Sequence, residues 1–325
     1  MIRVLFQGHC DRKWIDYLRD NLDTSLQLFT EEDGVDDFEI LISGRPDEAL
    51  LTRVSSIKVL IIPWAGYPES TAVLLKNHPA IHVHNIHHNA ASASEMAITL
   101  MMAAARLLIP ADRSLRNNDW TLRYNQDRAV LVKGSRVLIL GYGHVGSRVG
   151  AVCRAMGADV TGIKRKPSEP VSEEGVPLFS TDMLHELLEK TDMLIVALPL
   201  TPDTKGIIGD RELDLLHDRS IVVNVGRGHL IDEESLYHHL SNNLIGAAGI
   251  DVWYEYPSGK ETVSDTPPSS YPFGTLDNIV MSPHMGGAFN LEELERQRMI
   301  HLASSLNMYA AGEPVPNRID LEQGY

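Results

Sequence analysis

Residues 136–146 read RVLILGYGHVG, an apolar run that ends in Gly141, Gly143 and Gly146 at GxGxxG spacing. The run is short and apolar on both faces, as a parallel strand covered by helices is. Residues 145–156 continue with helical spacing, so the glycines occupy a strand-to-helix turn. Each has its own task there. Gly141 permits the tight turn, Gly143 lets backbone approach a pyrophosphate, and Gly146 lets helix and strand pack closely. The helix start adds N–H groups and a positive dipole end. An isolated GxGxxG is often an ordinary glycine turn; the strand before it and the helix after it make this one a dinucleotide site.

The pattern extends in both directions. Downstream, strands are predicted at 159–163, 193–198, 220–225, 247–252 and 278–282. With 136–140 they make a six-stranded, doubly wound parallel sheet of Rossmann type. Upstream, strands over 4–7, 25–29, 40–43, 58–63 and 82–85 alternate with helices over 12–21, 46–55 and 69–76, again an α/β arrangement. A helix over 94–108, ended by Pro110, reads as an interdomain or dimer helix. A last helix over 291–311 returns the chain to the first domain, and 264–274 (SDTPPSSYPFG) reads as an exposed loop.

The bulk properties narrow the function. A chain of 325 residues suits two domains. With 43% hydrophobic and 22% charged residues it reads as globular. A net charge of -15 disfavours nucleic acid and anionic lipid as partners. Cys10 and Cys153 form neither a disulfide framework nor a CxxC metal site, which fits a reducing compartment. The start, MIRVLFQGHCD, has too short an apolar stretch for a signal peptide, and the apolar run at 96–105 is too short to span a bilayer. The expected setting is the cytoplasm, with no nucleic acid and no membrane.

The strand at 159–163 runs into Lys164, Arg165 and Lys166, where an NAD site usually carries an acidic residue for the ribose 2′-hydroxyl. Cations there accept a 2′-phosphate, and Arg165 can do so with two parallel bonds. The competing reading is a solvated basic loop. NADP(H) is therefore the expected cofactor, with NAD(H) as the alternative.

Three segments fall at or just past strand ends, where doubly wound folds keep their ligands: VGRG at 225–228, GIDV at 249–252 and SPHMGG at 282–287. Arg227, between two glycines, offers a forked cation to the carboxylate and carbonyl of a 2-oxo acid. Hydride transfer to that carbonyl needs a proton donor titrating near neutrality, and His284 is the best-placed histidine. Either residue alone is more often structural than catalytic; their order behind the glycine turn is what singles them out. His82, His84, His87 and His88 suggest a metal site, but no carboxylates flank them and nicotinamide chemistry needs no metal. They read as a polar strand end, and no metal is expected. His238 and His239 read as solvated. Trp64, Tyr67, Trp253, Tyr254 and Tyr256 read equally as a substrate wall or as core.

The blocks ILGYGHVG (139–146), ALPLTPDT (197–204), NVGRGHLIDEESL (224–236), GAAGIDVW (246–253) and NIVMSPHMGG (278–287) occur in an order and spacing that resembles the D-isomer-specific 2-hydroxyacid dehydrogenases over nearly the whole chain. The resemblance implies that Arg227 binds the substrate carboxylate and polarises its carbonyl. It implies that His284 is the acid/base and that Asp251 lies beside the nicotinamide carboxamide. It implies that His144, Val145, Leu198, Pro199, Thr204, Val225 and Gly226 line the cofactor, a set to which Gly286 is added. The Ala65–Gly66 turn would offer backbone N–H groups to the substrate carboxylate. The implied architecture is a discontinuous, flavodoxin-like α/β substrate domain, 1–94 and 290–325, around a Rossmann nucleotide domain, 95–289, in a homodimer.

One position departs from that family. It usually has a glutamate five residues after the aspartate of the DV segment, bonded to the histidine. Here that position is Tyr256, and Glu255 lies one residue early. Either a local kink brings Glu255 into place, or Tyr256 bonds His284 without supplying a charge. The register favours Tyr256, because Pro257 matches the proline that commonly follows the glutamate. A tyrosine partner would leave His284 with a lower pKa and move the optimum for reduction to lower pH. The expected activity is NADP(H)-dependent reduction of a small 2-oxo acid. The alternatives are a same-fold dehydrogenase of another anion, such as formate or phosphite, and a nucleotide-sensing protein whose activity is weak or lost.

Overall fold

The computed structural model describes residues 1–165, 170–172, 175–287 and 291–321. The chain divides into two compact units, Met1–Asn89 with Ala288–Tyr325, and Ala90–Gly287.

The first unit holds β1 (Ile2–Phe6), β2 (Leu26–Thr30), β3 (Ile40–Ile42), β4 (Val59–Ile62) and β5 (His82–Asn85), all parallel in the order β2-β1-β3-β4-β5. That is the flavodoxin-like order. Its helices are α1 (Arg12–Asp20), α2 (Glu48–Arg53), α3 (Glu69–Leu75) and α10 (Glu292–Ala310). Strand residues alternate between two apolar layers. Val4, Phe6, Ile40 and Ile42 pack with Leu18 of α1 and with Met299, Leu302 and Leu306 of α10. Leu5, Leu41, Leu60 and Ile62 pack with Leu50, Leu51 and Leu75. The C-terminal helix thus belongs to the first unit's core. The segment after it lies along β5, where Ile319 N donates to Val83 O at 2.8 Å.

The second unit holds β6 (Arg136–Leu140), β7 (Asp159–Ile163), β8 (Leu178–Phe179), β9 (Met193–Val196), β10 (Ile221–Asn224), β11 (Ala247–Ile250) and β12 (Ile279–Met281). They form one parallel sheet in the order β12-β11-β10-β9-β6-β7-β8. The order reverses between β6 and β9, and the carboxyl ends of those strands frame the crevice in which such sheets bind ligands. Among the described residues the sheet has seven strands rather than the six expected; the extra one, β8, is a two-residue edge strand too short to show a period. Around it lie α4 (Ala90–Ala105), α5 (Leu108–Arg116), α6 (His144–Ala155), α7 (Leu184–Leu188), α8 (Asp210–Asp214) and α9 (Glu233–Ser241).

Several local expectations are corrected. The helix expected over 94–108 starts at Ala90 and ends at Ala105, and Leu107, at φ 52°, turns the chain into α5. Pro110 therefore stands in the first turn of α5, where its missing N–H would have had no intrahelical partner anyway. One face of α4 belongs to the core of its own unit, where Ala97, Leu100 and Met101 are buried. The segment 264–274 is partly inside: Phe273 is fully buried, and the Glu233 carboxylate accepts from Ser269 Oγ at 2.6 Å and Ser270 N at 2.9 Å. His239 is buried rather than solvated, with Nε2 3.1 Å from Asp214 Oδ1. Among the described residues no single helix is long and apolar enough to cross a membrane.

Candidate active site

The three motif glycines meet three different constraints. Gly141 has φ 105°, and a Cβ there would stand 2.7 Å from Ala197 O, just past β9. A Cβ on Gly146 would stand 2.2 Å from Gly141 O and 2.9 Å from Ile139 Cγ2, so α6 touches the turn and β6 directly. A Cβ on Gly143 would meet nothing within 4 Å. The turn is thus closed at its first and third glycines and open at its second, where a pyrophosphate would approach. Gly143 is also the N-cap of α6 and brings no side-chain acceptor, so the helix's first N–H groups are not capped from that position. Tyr142, between the first two glycines, turns into the core. It lies where a Cβ on Gly150 or Gly162 would come within 3.0 or 2.6 Å of its ring.

The other residues expected at the nucleotide follow β7, β9 and β10 or open α6, and β7 and β9 flank β6 in the sheet. Gly141 N and Tyr142 N both donate to Ile163 O, at 3.1 and 2.9 Å, which fixes the end of β7 beside the turn. Lys164 and Arg165 follow at once and are exposed. Lys166 lies outside the described residues. His144 and Val145 open α6. Leu198 and Pro199 follow β9, and Thr204 Oγ1 donates to Pro199 O at 2.7 Å while accepting from Thr201 N at 2.8 Å, folding that loop on itself. Val225 N donates to Val196 O at 3.1 Å.

Arg227 is positioned by a buried asparagine. Asn224 Oδ1 accepts from Gly226 N at 3.0 Å, and its Nδ2 donates to Arg227 O at 2.9 Å. The neighbouring Gly228 rests against Trp253, whose carbonyl oxygen would be 2.2 Å from a Cβ. Arg227 Nη1 donates to Gly226 O at 2.6 Å. The side chain keeps solvent-accessible surface, yet protein atoms crowd the guanidinium. The lost hydration lowers its pKa, while the nearby Tyr256 acts in the opposite direction.

His284 sits on a turn clamped by Asp251 and Trp253. Asp251 is buried at the end of β11, and its carboxylate accepts three hydrogen bonds: Ser282 Oγ at 2.7 Å, Met285 N at 2.8 Å and Gly286 N at 2.8 Å. Trp253 Nε1 donates to Ser282 O at 2.8 Å. Between these clamps His284 adopts φ 57°, a left-handed conformation that histidine accepts more readily than most residues. Its Nδ1 lies 2.9 Å from Tyr256 Oη, and the Tyr256 oxygen accepts from Trp253 N at 3.1 Å. Glu255 is exposed, makes no such bond, and is held by its backbone N to Pro268 O at 3.1 Å. Loss of water around His284 lowers its pKa, the Arg227 charge lowers it further, and Asp251 pulls it up.

The second unit therefore brings Arg227, Tyr256, His284, Asp251 and Gly286 together at adjacent strand ends. Ala65 and Gly66 belong to the first unit, where Asn85 Nδ2 donates to Ala65 O at 2.7 Å and ties their turn to the end of β5. Among the aromatic candidates, Trp253 is core, and Tyr254 Oη donates to Ile231 O at 3.1 Å. Trp64 covers the backbone of Gly44. Of the β5 histidines, His82 is exposed and His84 is buried, with Nδ1 2.9 Å from Pro316 O. Among the described residues no group of three or more His, Cys, Asp or Glu side chains is placed to hold a metal ion.

The chain is similar to known proteins. A family model described as D-isomer specific 2-hydroxyacid dehydrogenase, NAD binding domain, matches residues 98–286. The D-3-phosphoglycerate dehydrogenase of Methanocaldococcus jannaschii is 31% identical over 231 residues, which is 71% of this chain and 41% of that protein. The chain thus matches less than half the length of that relative. The glyoxylate reductase of Aeropyrum pernix is 28% identical over 315 residues, 95% of this chain and 89% of that one. Among solved structures, a probable 2-hydroxyacid dehydrogenase from Rhizobium etli, in complex with NADP, HEPES and L(+)-tartaric acid, is 22% identical. The match covers 100% of both chains with a TM-score of 0.81. An NADPH-dependent glyoxylate/hydroxypyruvate reductase from Sinorhizobium meliloti, in complex with NADP and sulfate, is 19% identical, with 100% of both chains covered and a TM-score of 0.79. At these identities the two structures show a shared fold.

Proposed function

We propose that this chain, which belongs to the D-isomer-specific 2-hydroxyacid dehydrogenase family, reduces a small 2-oxo acid with NADPH. The observation that carries the reading is the convergence of Arg227 and His284, on turns braced by Asn224 and Asp251, at strand ends of the unit that carries the glycine turn.

The residues fit a dinucleotide. Gly143 leaves the space a pyrophosphate requires, and the start of α6 supplies N–H groups. Lys164 and Arg165, exposed just past β7, are the cations assigned to the 2′-phosphate of NADP(H), and the structural neighbours from Rhizobium etli and Sinorhizobium meliloti were solved with NADP. Leu198, Pro199, Thr204, Val225 and Gly226, which follow β9 and β10, would line the same cofactor. Asp251 spends two acceptor sites on Oδ1 and one on Oδ2, which leaves an Oδ2 lone pair for a carboxamide N–H.

When bound, the reduced nicotinamide supplies hydride to the substrate's carbonyl carbon. Arg227 binds the substrate carboxylate through its fork with charge-assisted bonds. His284 delivers the proton to the oxygen, and its braced turn keeps Nε2 aimed while Nδ1 is held by Tyr256. Glyoxylate and hydroxypyruvate are the first substrates to try, given the named reactions of the relatives. A homodimer in the cytoplasm completes the reading. The support for the dimer is the exposed apolar side chains Leu108, Leu115, Trp120, Tyr124 and Leu131 on the second unit.

A second reading, a nucleotide-sensing protein with little turnover, is favoured by Tyr256 in place of a carboxylate. The two are separated by titrating NADPH binding and following NADPH oxidation with a panel of 2-oxo acids. Turnover with at least one supports the reductase. Tight binding without turnover on any member of the panel would overturn it in favour of the sensor.

A further inference from the structure

The Tyr256 hydroxyl has one hydrogen and two neighbours. The first is the backbone N–H of Trp253, 3.1 Å from Oη. A backbone N–H only donates, so the hydroxyl accepts from it. Its own hydrogen is left for the second neighbour, His284 Nδ1, at 2.9 Å. Nδ1 is then an acceptor, and the neutral ring carries its proton on Nε2. An imidazolium in the same place would donate from Nδ1. The phenol oxygen would have to accept twice, and the hydroxyl hydrogen would lose its acceptor.

The charges facing the pair agree with the neutral ring. They are Arg227, from the turn after β10, and Asp251, at the end of β11. Arg227 opposes a positive His284 and favours a negative Tyr256; Asp251 does the reverse for both, and its carboxylate is already engaged by three donors. Partial loss of water around each ring also disfavours its charged form. No carboxylate takes the place of the phenol, since the side chain of Glu255 is exposed and makes no bond to His284.

We propose that Tyr256 is the proton source for the reduction and that His284 is a relay between it and the substrate oxygen. This rests on the reductase reading above. As hydride adds to the carbonyl carbon, the C=O π pair moves onto oxygen. That oxygen takes the proton from His284 Nε2, whose N–H electron pair stays on the ring. The ring's Nδ1 lone pair takes the proton of Tyr256, whose O–H electron pair remains on oxygen. One carbonyl, one hydride and one phenol become one alcohol and one phenolate. The phenolate is held by the Trp253 N–H and faces the Arg227 charge. The Nδ1 proton then returns to the phenolate as solvent delivers one to Nε2 of the part-exposed His284, which restores the Nε2–H ring and the phenol for the next turnover.

The test is the pH dependence of kcat/KM for glyoxylate and hydroxypyruvate with NADPH, from about pH 5 to about pH 10, in the parent and in Tyr256→Phe. Because the phenol and not an imidazolium is the proton source, the parent should keep its activity well above the ordinary histidine pKa of about 6.5, which replaces the lower optimum expected from the sequence. Tyr256→Phe should lose about 100-fold or more on that alkaline side and much less on the acid side. Incorporating 3-fluorotyrosine at position 256 keeps the shape and acidifies the phenol. It should move the alkaline limb to lower pH, which a merely structural tyrosine would not do. Independently of turnover, imidazole nitrogen NMR of the intact protein should show His284 as the neutral Nε2–H tautomer at about pH 8. An active parent with Tyr256→Phe matching it at alkaline pH, or an Nδ1–H ring by NMR, overturns the relay and leaves the reductase reading standing. A parent inert towards every 2-oxo acid overturns the reductase reading and the relay with it.

Discussion

The carboxylate of Asp251 and the backbone of Gly286 meet with no room for a side chain between them. Oδ2 accepts the Gly286 N–H at 2.8 Å, and a Cβ on residue 286 would stand 2.7 Å from the same oxygen. His284 lies two residues earlier, on the stretch this contact pins. The geometry of the proton-transfer residue is therefore set by a residue that does not bond to its ring.

Asp251→Asn should show this. An amide keeps one oxygen where three donors now converge, so at least one of Ser282 Oγ, Met285 N and Gly286 N loses its acceptor. The expected loss is about 1–3 kcal/mol of stability. It should be read as a lower Tm together with a fall in kcat as the His284 turn loosens. A variant with parental Tm and parental kcat would contradict the bracing role.

The glycine turn makes an asymmetric prediction. Gly146→Ala puts a Cβ 2.2 Å from a carbonyl oxygen, so it should unfold or strongly destabilise the nucleotide unit. Gly143→Ala meets no protein atom within 4 Å at an ordinary φ of -106°, so its Tm should stay near the parent's. Its NADPH affinity should nonetheless fall by tenfold or more, about 1.4 kcal/mol, because the methyl occupies the space of the pyrophosphate. Calorimetric unfolding beside a fluorescence titration checks both halves.

Cofactor choice should follow the residues after β7. Replacing Lys164 and Arg165 with neutral side chains removes the cations beside the expected 2′-phosphate. The ratio of kcat/KM with NADPH to that with NADH should drop by about tenfold or more, charge-assisted bonds to phosphate being the strong ones. An unchanged ratio would sink the assignment to these two residues.

Arg227→Ala should separate substrate from cofactor. Loss of the forked cation should lower kcat/KM for a 2-oxo acid by about 100-fold or more, while the Kd for NADPH stays within a few-fold of the parent's. The reverse pattern, weakened NADPH binding with turnover kept, would make Arg227 a nucleotide ligand.

The parts of this protein legible in its sequence are those governed by local backbone rules. GxGxxG requires a turn, an approach and a close packing, and Gly141, Gly143 and Gly146 meet them one by one. The buried parallel strands stood out as apolar runs, and β5 falls at its expected residues. What escaped depends on partners far along the chain. Leu107 in a left-handed turn has no propensity signal, so the sequence points to Pro110 as the end of α4. Phe273 sits in a Pro- and Ser-rich segment that reads as surface, yet it fills the core beside Trp253. Asn224 looks like any polar strand end until its side chain closes on both Gly226 and Arg227. Trp253 read as wall or core, and nothing in its neighbours announced that its backbone would orient the Tyr256 hydroxyl.

The central claim is that Arg227 and His284 form a reduction site for 2-oxo acids. The most direct measurement is NADPH oxidation with glyoxylate and hydroxypyruvate by the parent and by His284→Ala at equal, nucleotide-saturated concentration. The account predicts turnover by the parent and a loss of about 100-fold or more in kcat in the variant, with NADPH binding retained. A His284→Ala protein that keeps near-parental turnover would contradict it.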